Sequence, residues 1–358
     1  MRLFSCDGCS NTIHFDNESC VSCNRRLGYL AWRSRMLALD PLGDGWVATA
    51  SGENFAFCAN AETGGCNWLV PAENAGDLCP ACRHNRTIPA LTDDNTIGRF
   101  RRILLAERHL FYSLIGWGLP VPNKSEDPVA GLAFDFLADQ VGATGEAVPV
   151  MTGHADGVIT LAIAEADDAA REQRRVGLGE PYRTLLGHFR HEIGHYYWDR
   201  LVRDGGQLEA FRTLFGDERQ DYNEALERNY KEGPPIDWQN RFVSAYASCH
   251  PWEDFAETFA HYIHMVDALE TAHALGLAIS PRVATPEQLD LDVDFSPYRQ
   301  KDFAALASAW PPLTVAINEI NRSLGQRDFY PFVLSGAVLA KLEFVHTLVQ
   351  TMQSANDA

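Results

Sequence analysis

The segment from Gly187 to Trp198 contains residue types that can bind a metal and activate water. Within it, His191, Glu192 and His195 form the motif H-E-x-x-H. On a helix, residues four apart lie on the same face. Two imidazoles at this spacing can bind one zinc ion, and a glutamate beside the first can hold the water that zinc activates. The motif predicts a catalytic zinc site with His191 and His195 as ligands and Glu192 as general base.

A catalytic zinc ion needs a third protein ligand and one open coordination position. The segment from His250 to His264 is the candidate for this ligand, because Glu253, Glu257, His261 and His264 would share one face of a helix there. Aromatic residues flank this polar face, and carboxylates in such surroundings usually have a partner. We therefore expect a helix over this segment to lie across the H-E-x-x-H helix.

Eight of the nine cysteines lie before residue 83. Most of them form C-x-x-C pairs, which present two sulfur atoms to one tetrahedral ion. The spacing predicts two structural zinc sites with four cysteines each. The ligands of the first are Cys6, Cys9, Cys20 and Cys23, and those of the second are Cys58, Cys66, Cys79 and Cys82.

The second cysteine set is less regular, because Cys58 and Cys66 are farther apart than a C-x-x-C pair. Gly64 and Gly65 would allow the tight turn that this pair needs. Disulfides, or one zinc site with spare thiols, are the alternatives. The sequence contains no secretory signal and no long apolar segment, so we expect a reducing cytoplasm, no membrane association, and metal ligation rather than disulfides.

Hydrophobic periodicity predicts the elements that position these residues. A hairpin is predicted from Val148 to Ile163. Its return strand could offer a free edge to an extended substrate, or it could be an ordinary core strand. On the first predicted helix, we expect Arg99, Arg101, Arg102 and Arg108 to face solvent. Helices are predicted at Ile97–Ile115, Glu180–Val202, Gly206–Phe215, Gln220–Lys231, Pro251–Leu275, Leu313–Leu324 and Phe332–Met352.

The two catalytic segments resemble a known group of enzymes. The H-E-x-x-H motif, followed by Trp252-Glu253-Asp254-Phe255-Ala256-Glu257-Thr258-Phe259, resembles gluzincin metallopeptidases. It is similar in particular to the lethal factor-like catalytic domains, whose second helix carries the pattern E-F-F-A-E-A-F. Over nearly the whole chain, the N-terminal cysteines together with this C-terminal half resemble a bacterial family of zinc-binding metallopeptidases with an N-terminal zinc ribbon.

The resemblance assigns roles in the second segment. It implies that Glu253 is the third zinc ligand and that Glu257 orients a ligand histidine. It also implies that Tyr246, seven residues before Glu253, stabilises the oxyanion. Three other tyrosines compete for this last role: Tyr196, Tyr197 and Tyr222. The rest of the chain is unlike lethal factor, so no substrate is implied.

The charge of the chain argues against nucleic-acid binding. The 358 residues carry a formal net charge of -18. Residues 1–94 contain seven Arg or Lys and eleven Asp or Glu. Binding to phosphates needs clustered basic residues. We expect the cysteine-rich module to have a structural role or to bind a protein partner.

These observations predict an α+β protein. Residues 1–92 would form a small zinc-ribbon β module, and residues 93–358 a mainly helical zincin-like metallopeptidase domain with a small sheet. The predicted activity is zinc-dependent hydrolysis of a peptide or protein substrate, with one catalytic and two structural zinc ions. Two rivals remain: a non-enzymatic interaction protein, whose metal site would be closed by a fourth ligand such as His261 or Cys249, and a hydrolase of non-peptide amides.

Overall fold

The computed structural model describes residues 1–138, 140, 141, 147, 148, 150, 152–178, 184–282 and 289–356. The chain divides into two compact units, Met1–Gln173 and Arg174–Ala358. The predicted domain boundary between residues 92 and 93 stays a prediction.

The first unit is rich in strands. Seven of them precede residue 72: β1 (Phe4–Ser5), β2 (Thr12–Ile13), β3 (Arg26–Leu30), β4 (Arg35–Leu42), β5 (Gly45–Ala48), β6 (Asn54–Phe57) and β7 (Leu69–Pro71). The first two pair with each other, and the other five form an antiparallel sheet in sequence order.

This five-stranded sheet curls, so that its first and last strands approach each other. The amide of Tyr29 in β3 donates to the carbonyl of Asn67, just before β7, at 2.8 Å. Gly28 permits this approach, because a Cβ there would lie 2.5 Å from the side chain of Leu69. The curled sheet encloses an apolar core of Leu30, Leu37, Leu39, Ala48, Phe55 and Leu69.

Helix α1 (Asp94–Gly116) follows the cysteine-rich segment. Asp93 caps it by accepting a hydrogen bond from the amide of Thr96 at 2.9 Å, and such a cap stabilises the first turn. The apolar face predicted for this helix is buried, including Ile103 and Phe111.

The arginines of α1 do not simply face solvent as predicted. Arg108 is buried and donates to the side chain of Asn67, and Arg101 donates to the carbonyl of Thr63 at 2.5 Å. Arg99 forms an ion pair with Asp167, as does Arg102. The prediction holds for Arg101 and Arg102, which are exposed, and was wrong for Arg108, which is buried. The partners of these arginines lie 38 to 68 residues away in sequence, where helical periodicity carries no information.

A second sheet completes the first unit. Its strands, in spatial order, are β12 (Gly153–Ala155), β13 (Val158–Ala162), β9 (Ala133–Leu137) and β8 (Asn85–Thr87). A short pair, β10 (Gln140–Val141) with β11 (Ala147–Val148), lies between β9 and β12 in sequence.

The predicted hairpin corresponds to β12 and β13, which pair antiparallel around Asp156 and Gly157. Residues 149 and 151 of the prediction lie outside the described residues. The substrate-binding edge proposed for the return strand is not free, because β13 pairs with β12 on one side and with β9 on the other.

The second unit is mainly helical. Helix α2 (Asp168–Leu178) runs across the division between the units. The other helices are α3 (Leu185–Tyr197), α4 (Leu208–Phe215), α5 (Tyr222–Glu232), α6 (Pro251–Leu275), α7 (Phe303–Ser323) and α8 (Gly336–Asn356). The start predicted for α3 at residues 180–182 lies outside the described residues. A two-stranded sheet of β14 (Ala278–Ile279) and β15 (Leu291–Asp292) is also present.

Helix α7 begins ten residues before its predicted start. Pro311 and Pro312 stand directly before the predicted start, and proline usually marks a helix start rather than its interior. Both prolines lie inside the helix, where the apolar side chains Phe303, Leu306 and Trp310 are buried. Tertiary packing therefore outweighs the local proline signal.

The predicted fold class, a strand-rich N-terminal module followed by a mainly helical domain, is confirmed. In the part of the chain that the structure describes, none of the helices has the length and apolarity needed to span a bilayer.

Candidate functional site

The H-E-x-x-H motif lies on α3, and the downstream glutamates lie on α6. Thr184 caps α3 by accepting from the amide of Gly187 at 2.9 Å. His250 caps α6 by accepting from the amide of Trp252 at 3.1 Å. Both capping side chains satisfy amides that helix starts leave without partners, so each helix begins at a defined residue a few positions before its functional side chains.

The two helices meet at a glycine. A Cβ on Gly194 would lie 2.8 Å from Cα of Ala256 and 3.0 Å from its carbonyl oxygen. Only a residue without a side chain fits at this crossing. Gly194 precedes His195 directly, so the close approach of the backbones occurs beside the motif.

This crossing brings together the three predicted ligands. The Nε2 atoms of His191 and His195 are 3.2 Å apart. Glu253 Oε2 lies 3.0 Å from the first nitrogen and 3.4 Å from the second. Glu253 is almost fully buried, and its Oε2 makes no hydrogen bond of good geometry.

The spacing of these three atoms fits a zinc ion. With zinc–nitrogen and zinc–oxygen bonds of about 2.0–2.1 Å, two ligands at a tetrahedral angle lie about 3.3–3.4 Å apart. Among the described residues, the group of potential metal ligands on α3 and α6 consists of these three. This arrangement would leave one position open, as in a catalytic site.

The predicted partner of a ligand histidine lies against His191. Glu257 Oε1 is 2.7 Å from His191 Nδ1, and its Oε2 accepts a hydrogen bond from the hydroxyl of Ser244 at 2.6 Å. A carboxylate on Nδ1 fixes the ring orientation and leaves Nε2 available to a metal.

The charges of this cluster shift its pKa values. Burial lowers the pKa of His191, but the carboxylates of Glu253 and Glu257 outweigh burial and leave it well above its usual value. Burial raises the pKa of Glu257, but hydrogen bonding to His191 dominates and lowers it to about 2. Burial also raises the pKa of Glu253, but the charges of His195 and His191 outweigh burial and leave it well below its usual value. Glu253 and Glu257 are therefore both ionised at neutral pH.

The predicted base, Glu192, follows His191 on α3. Its side chain is buried, and its Oε2 has no hydrogen-bond partner. A buried carboxylate oxygen without a donor is costly, and such atoms often mark a place where water or a ligand binds. The position of Glu192 next to a predicted ligand suits that interpretation.

The eight N-terminal cysteines form two groups, with the same members as predicted. In the first group, Cys6 and Cys23 have their sulfur atoms 3.7 Å apart, and Cys9 and Cys20 have theirs 3.6 Å apart. In the second, the Cys66 and Cys79 sulfurs are 3.8 Å apart.

The cysteines are all free thiols in the structure, and these separations are far longer than a disulfide bond of about 2.05 Å, so the disulfide alternative considered from the sequence is not what the structure shows. Tetrahedral zinc with zinc–sulfur bonds of about 2.3 Å would place its sulfurs about 3.8 Å apart. Backbone amides also point at sulfur in the second group, from Cys79 to Cys58 at 3.3 Å and from Trp68 to Cys66 at 3.4 Å. Both groups fit zinc.

Comparison with known proteins also indicates zinc binding in both parts of the chain. Residues 96–348 match the family described as "Putative zinc-binding metallo-peptidase", and residues 3–93 match a zinc-ribbon domain. The chain belongs to this zinc-binding metallo-peptidase family.

Its relatives include uncharacterized proteins of Mycobacterium tuberculosis (strain ATCC 25618 / H37Rv) and Mycobacterium bovis (strain ATCC BAA-935 / AF2122/97). Each is 44% identical over 352 residues, which cover 98% of this chain and 95% of the relative. No solved structure matches the chain.

The tyrosines that compete for the oxyanion role differ in their surroundings. Tyr196 and Tyr197 are buried, and Tyr197 stacks on Phe259 in the core. The ring of Tyr246 lies 6.0 Å from that of His191. The Tyr222 hydroxyl donates to Glu253 Oε1 at 2.8 Å.

Both Tyr222 and Tyr246 can act as hydrogen-bond donors at neutral pH. Burial and the Glu253 carboxylate raise the pKa of each phenol well above its usual value. The oxyanion role that the resemblance gave to Tyr246 stays a prediction, as do the catalytic roles of the other site residues.

The two side chains that would indicate a closed site do not join the three ligands. His261 Nδ1 shares a hydrogen bond of 2.7 Å with the Tyr330 hydroxyl, and its ring packs against Phe332. Neither His261 nor Cys249 belongs to the ligand group found in the described part of the chain.

Sequence reasoning assigned no role to Ser244 or Trp252, and it named Tyr222 only as a competing oxyanion donor and not as a partner of Glu253. The roles of Tyr222 and Ser244 depend on contacts across 31 and 13 residues, for which the sequence gives no signal. Trp252, whose ring centroid lies 3.7 Å from that of His195, precedes the ligand glutamate directly and could have been singled out.

Proposed function

We propose that this protein is a zinc-dependent metallopeptidase that hydrolyses peptide bonds in a peptide or protein substrate. The observation that carries the proposal is the triangle of His191 Nε2, His195 Nε2 and Glu253 Oε2, with edges of 3.0–3.4 Å. Two histidine nitrogens and one carboxylate oxygen, with one coordination position left open, are typical of hydrolytic zinc sites.

Each residue of the site has a defined task in this reaction. His191, His195 and Glu253 hold the metal, and Glu257 keeps the His191 ring in its binding orientation. Zinc, when bound, supplies a water that is acidic near neutral pH and polarises the scissile carbonyl. Glu192 takes the proton of the attacking water and passes it to the leaving amine. Tyr246 donates a hydrogen bond to the developing oxyanion.

The eight cysteines would hold two further zinc ions with a structural role, and the N-terminal module would be free to bind a protein partner. Because thiolates persist in reducing compartments, we place the protein in the cytoplasm. The acidic composition also leads us to propose that nucleic acid is not a partner.

The first test is zinc content per chain in the wild type, His191→Ala and Glu253→Ala. We expect three zinc ions in the wild type and about two in each variant, since the cysteine sites are unaffected. Two zinc ions in all three proteins would refute the metal site on α3 and α6.

The second test is hydrolysis of a mixed peptide library by the wild type and Glu192→Gln. We expect the variant to retain zinc and to lose at least about 100-fold in rate, since general base catalysis contributes about 10²–10⁴-fold. Glu209→Gln is the control, because that side chain is 93% exposed on α4. A fully active Glu192→Gln enzyme would contradict the mechanism, and activity on small amides alone would change the substrate class.

A further inference from the structure

The ligand glutamate has two oxygens with different surroundings. Glu253 Oε2 faces the imidazoles of His191 and His195 at 3.0 and 3.4 Å. Glu253 Oε1 accepts a hydrogen bond from the Tyr222 hydroxyl at 2.8 Å. One oxygen is directed to the metal position, and the other is held by a side chain from a different helix.

We propose that Tyr222 is a positioning residue that holds Glu253 in a one-oxygen binding mode and so keeps a coordination position open. The inference rests on the metal site of the proposed function. A carboxylate can bind a cation through one or both oxygens. A phenol that donates to Oε1 competes with the cation for that oxygen, which favours binding through Oε2 alone.

Tyr222 is fixed well enough for this task. It is the first residue of α5, whose start is capped by Asp221 accepting from the amide of Glu224 at 2.9 Å. Its ring packs edge-on against His250, with centroids 5.4 Å apart, and against Trp252, with centroids 5.9 Å apart. Contacts on these two rings restrict the rotation of the phenol.

The starts of α5 and α6 are also tied to each other. His250 Nδ1 accepts from the amide of Trp252 at 3.1 Å, so its Nε2 carries the proton and donates to the carbonyl of Gln220 at 3.2 Å. One imidazole thus spans the residues that precede Tyr222 and those that precede Glu253. The His250 imidazole therefore links the segments that carry the Tyr222 hydroxyl and the Glu253 carboxylate. This agrees with a positioning role for Tyr222.

The test is Tyr222→Phe, which removes one oxygen and keeps both ring contacts. The metal on α3 and α6 is removed with a mild chelator, the two zinc ions of the cysteine sites are verified by elemental analysis, and the third site is titrated with Zn²⁺. We expect the Kd for zinc to rise about 10–100-fold, the usual effect of losing a group that holds a metal ligand. A Kd within threefold of wild type overturns the proposal.

The second readout is the visible spectrum of the same site filled with Co²⁺. If Oε1 binds the metal in the variant, it either takes the position that is otherwise open or adds a fifth ligand atom, and the cobalt bands change in either case. Weaker metal binding with an unchanged cobalt spectrum would also overturn the proposal, because Tyr222 would then only support the helix.

Tyr230→Phe is the matched control. It is the same substitution on the same helix, at a residue that is 62% exposed, and we expect the zinc affinity and the cobalt spectrum of the wild type. The metal readouts do not depend on turnover. A wild type that cleaves no peptide would refute the proposed function but not the role of Tyr222. A wild type that cleaves peptides, together with a Tyr222→Phe variant whose metal site is unaltered, would refute the role of Tyr222 but not the proposed function.

Discussion

Replacing Gly194 by alanine should separate α3 from α6 and weaken the metal site. The new Cβ would lie 2.8 Å from Cα of Ala256, 3.0 Å from its carbonyl oxygen and 3.3 Å from its carbonyl carbon. All three atoms belong to backbone, so no side chain can rotate away. Carbon atoms in contact prefer about 3.5–4.0 Å, so the two helices must move apart by about 0.7–1.2 Å.

A shift of this size exceeds what the ligand set tolerates. The edges of the ligand triangle are 3.0–3.4 Å, and functional constellations must be held to within about 0.5 Å. Overpacking of this kind costs about 1–3 kcal/mol, and each 1.4 kcal/mol of strain on the bound state lowers affinity about tenfold. We expect zinc affinity to fall about 5- to 150-fold.

The assay is chelator competition for zinc, together with thermal unfolding of the metal-loaded and chelated forms. Helix propensity favours alanine over glycine by about 1 kcal/mol, so stability should change less than metal affinity. Gly98→Ala is the matched control, because the nearest atom to a Cβ there is Arg102 Nη1 at 3.9 Å. The reasoning fails if Gly194→Ala binds zinc as tightly as Gly98→Ala does.

Three other substitutions test buried polar groups and one cysteine site. Lys341→Met should lower the free energy of unfolding, measured in urea, by about 3–5 kcal/mol. The reason is that it leaves the buried carboxylate of Asp254, which Lys341 contacts at 2.6 Å, without its charged partner. A loss below about 1 kcal/mol would contradict this prediction. Burial raises the pKa of Glu107 to about 8, so the folded state keeps a proton that the unfolded state releases near pH 4.5. The free energy of unfolding should therefore fall as pH rises between these two values. Glu107→Gln should flatten this pH dependence, and an equal slope in both proteins would refute the prediction. Cys66→Ser should remove one zinc per chain and lower the melting temperature, since Cys66 is fully buried in its site; unchanged zinc content would exclude it as a ligand.

The sequence predicted the site where its signals were local. His191 and His195 are one helical turn apart, and the cysteine pairs are separated by two residues, so chemistry and spacing can be read together. Glu253 was assigned through the resemblance rather than through geometry. The same local logic failed for Arg108, whose partner Asn67 is 41 residues away.

The strands of the first unit show the same limit on a larger scale. The return strand of the hairpin, Val158–Ala162, was predicted from its alternating apolar residues, but its pairing with β9 was not. Parallel pairing joins segments that have no turn between them, so neither length nor turn residues indicate the partner. The return strand, for which the sequence suggested a free edge, is therefore central in the sheet.

The electrostatics of the site explain why its ligands and their partners belong together. Glu253 is buried and Glu257 is half-buried, and both are ionised beside His191. Burial of unbalanced negative charge is costly. These two carboxylates raise the pKa of His191, so the ring can balance them with a proton on Nε2. A zinc ion balances the same charge at the same nitrogen, and its uptake must then release that proton. The charge of the cluster therefore suits a cation, and under the proposed function a coordination position left open by the three ligands would let that cation hold a water.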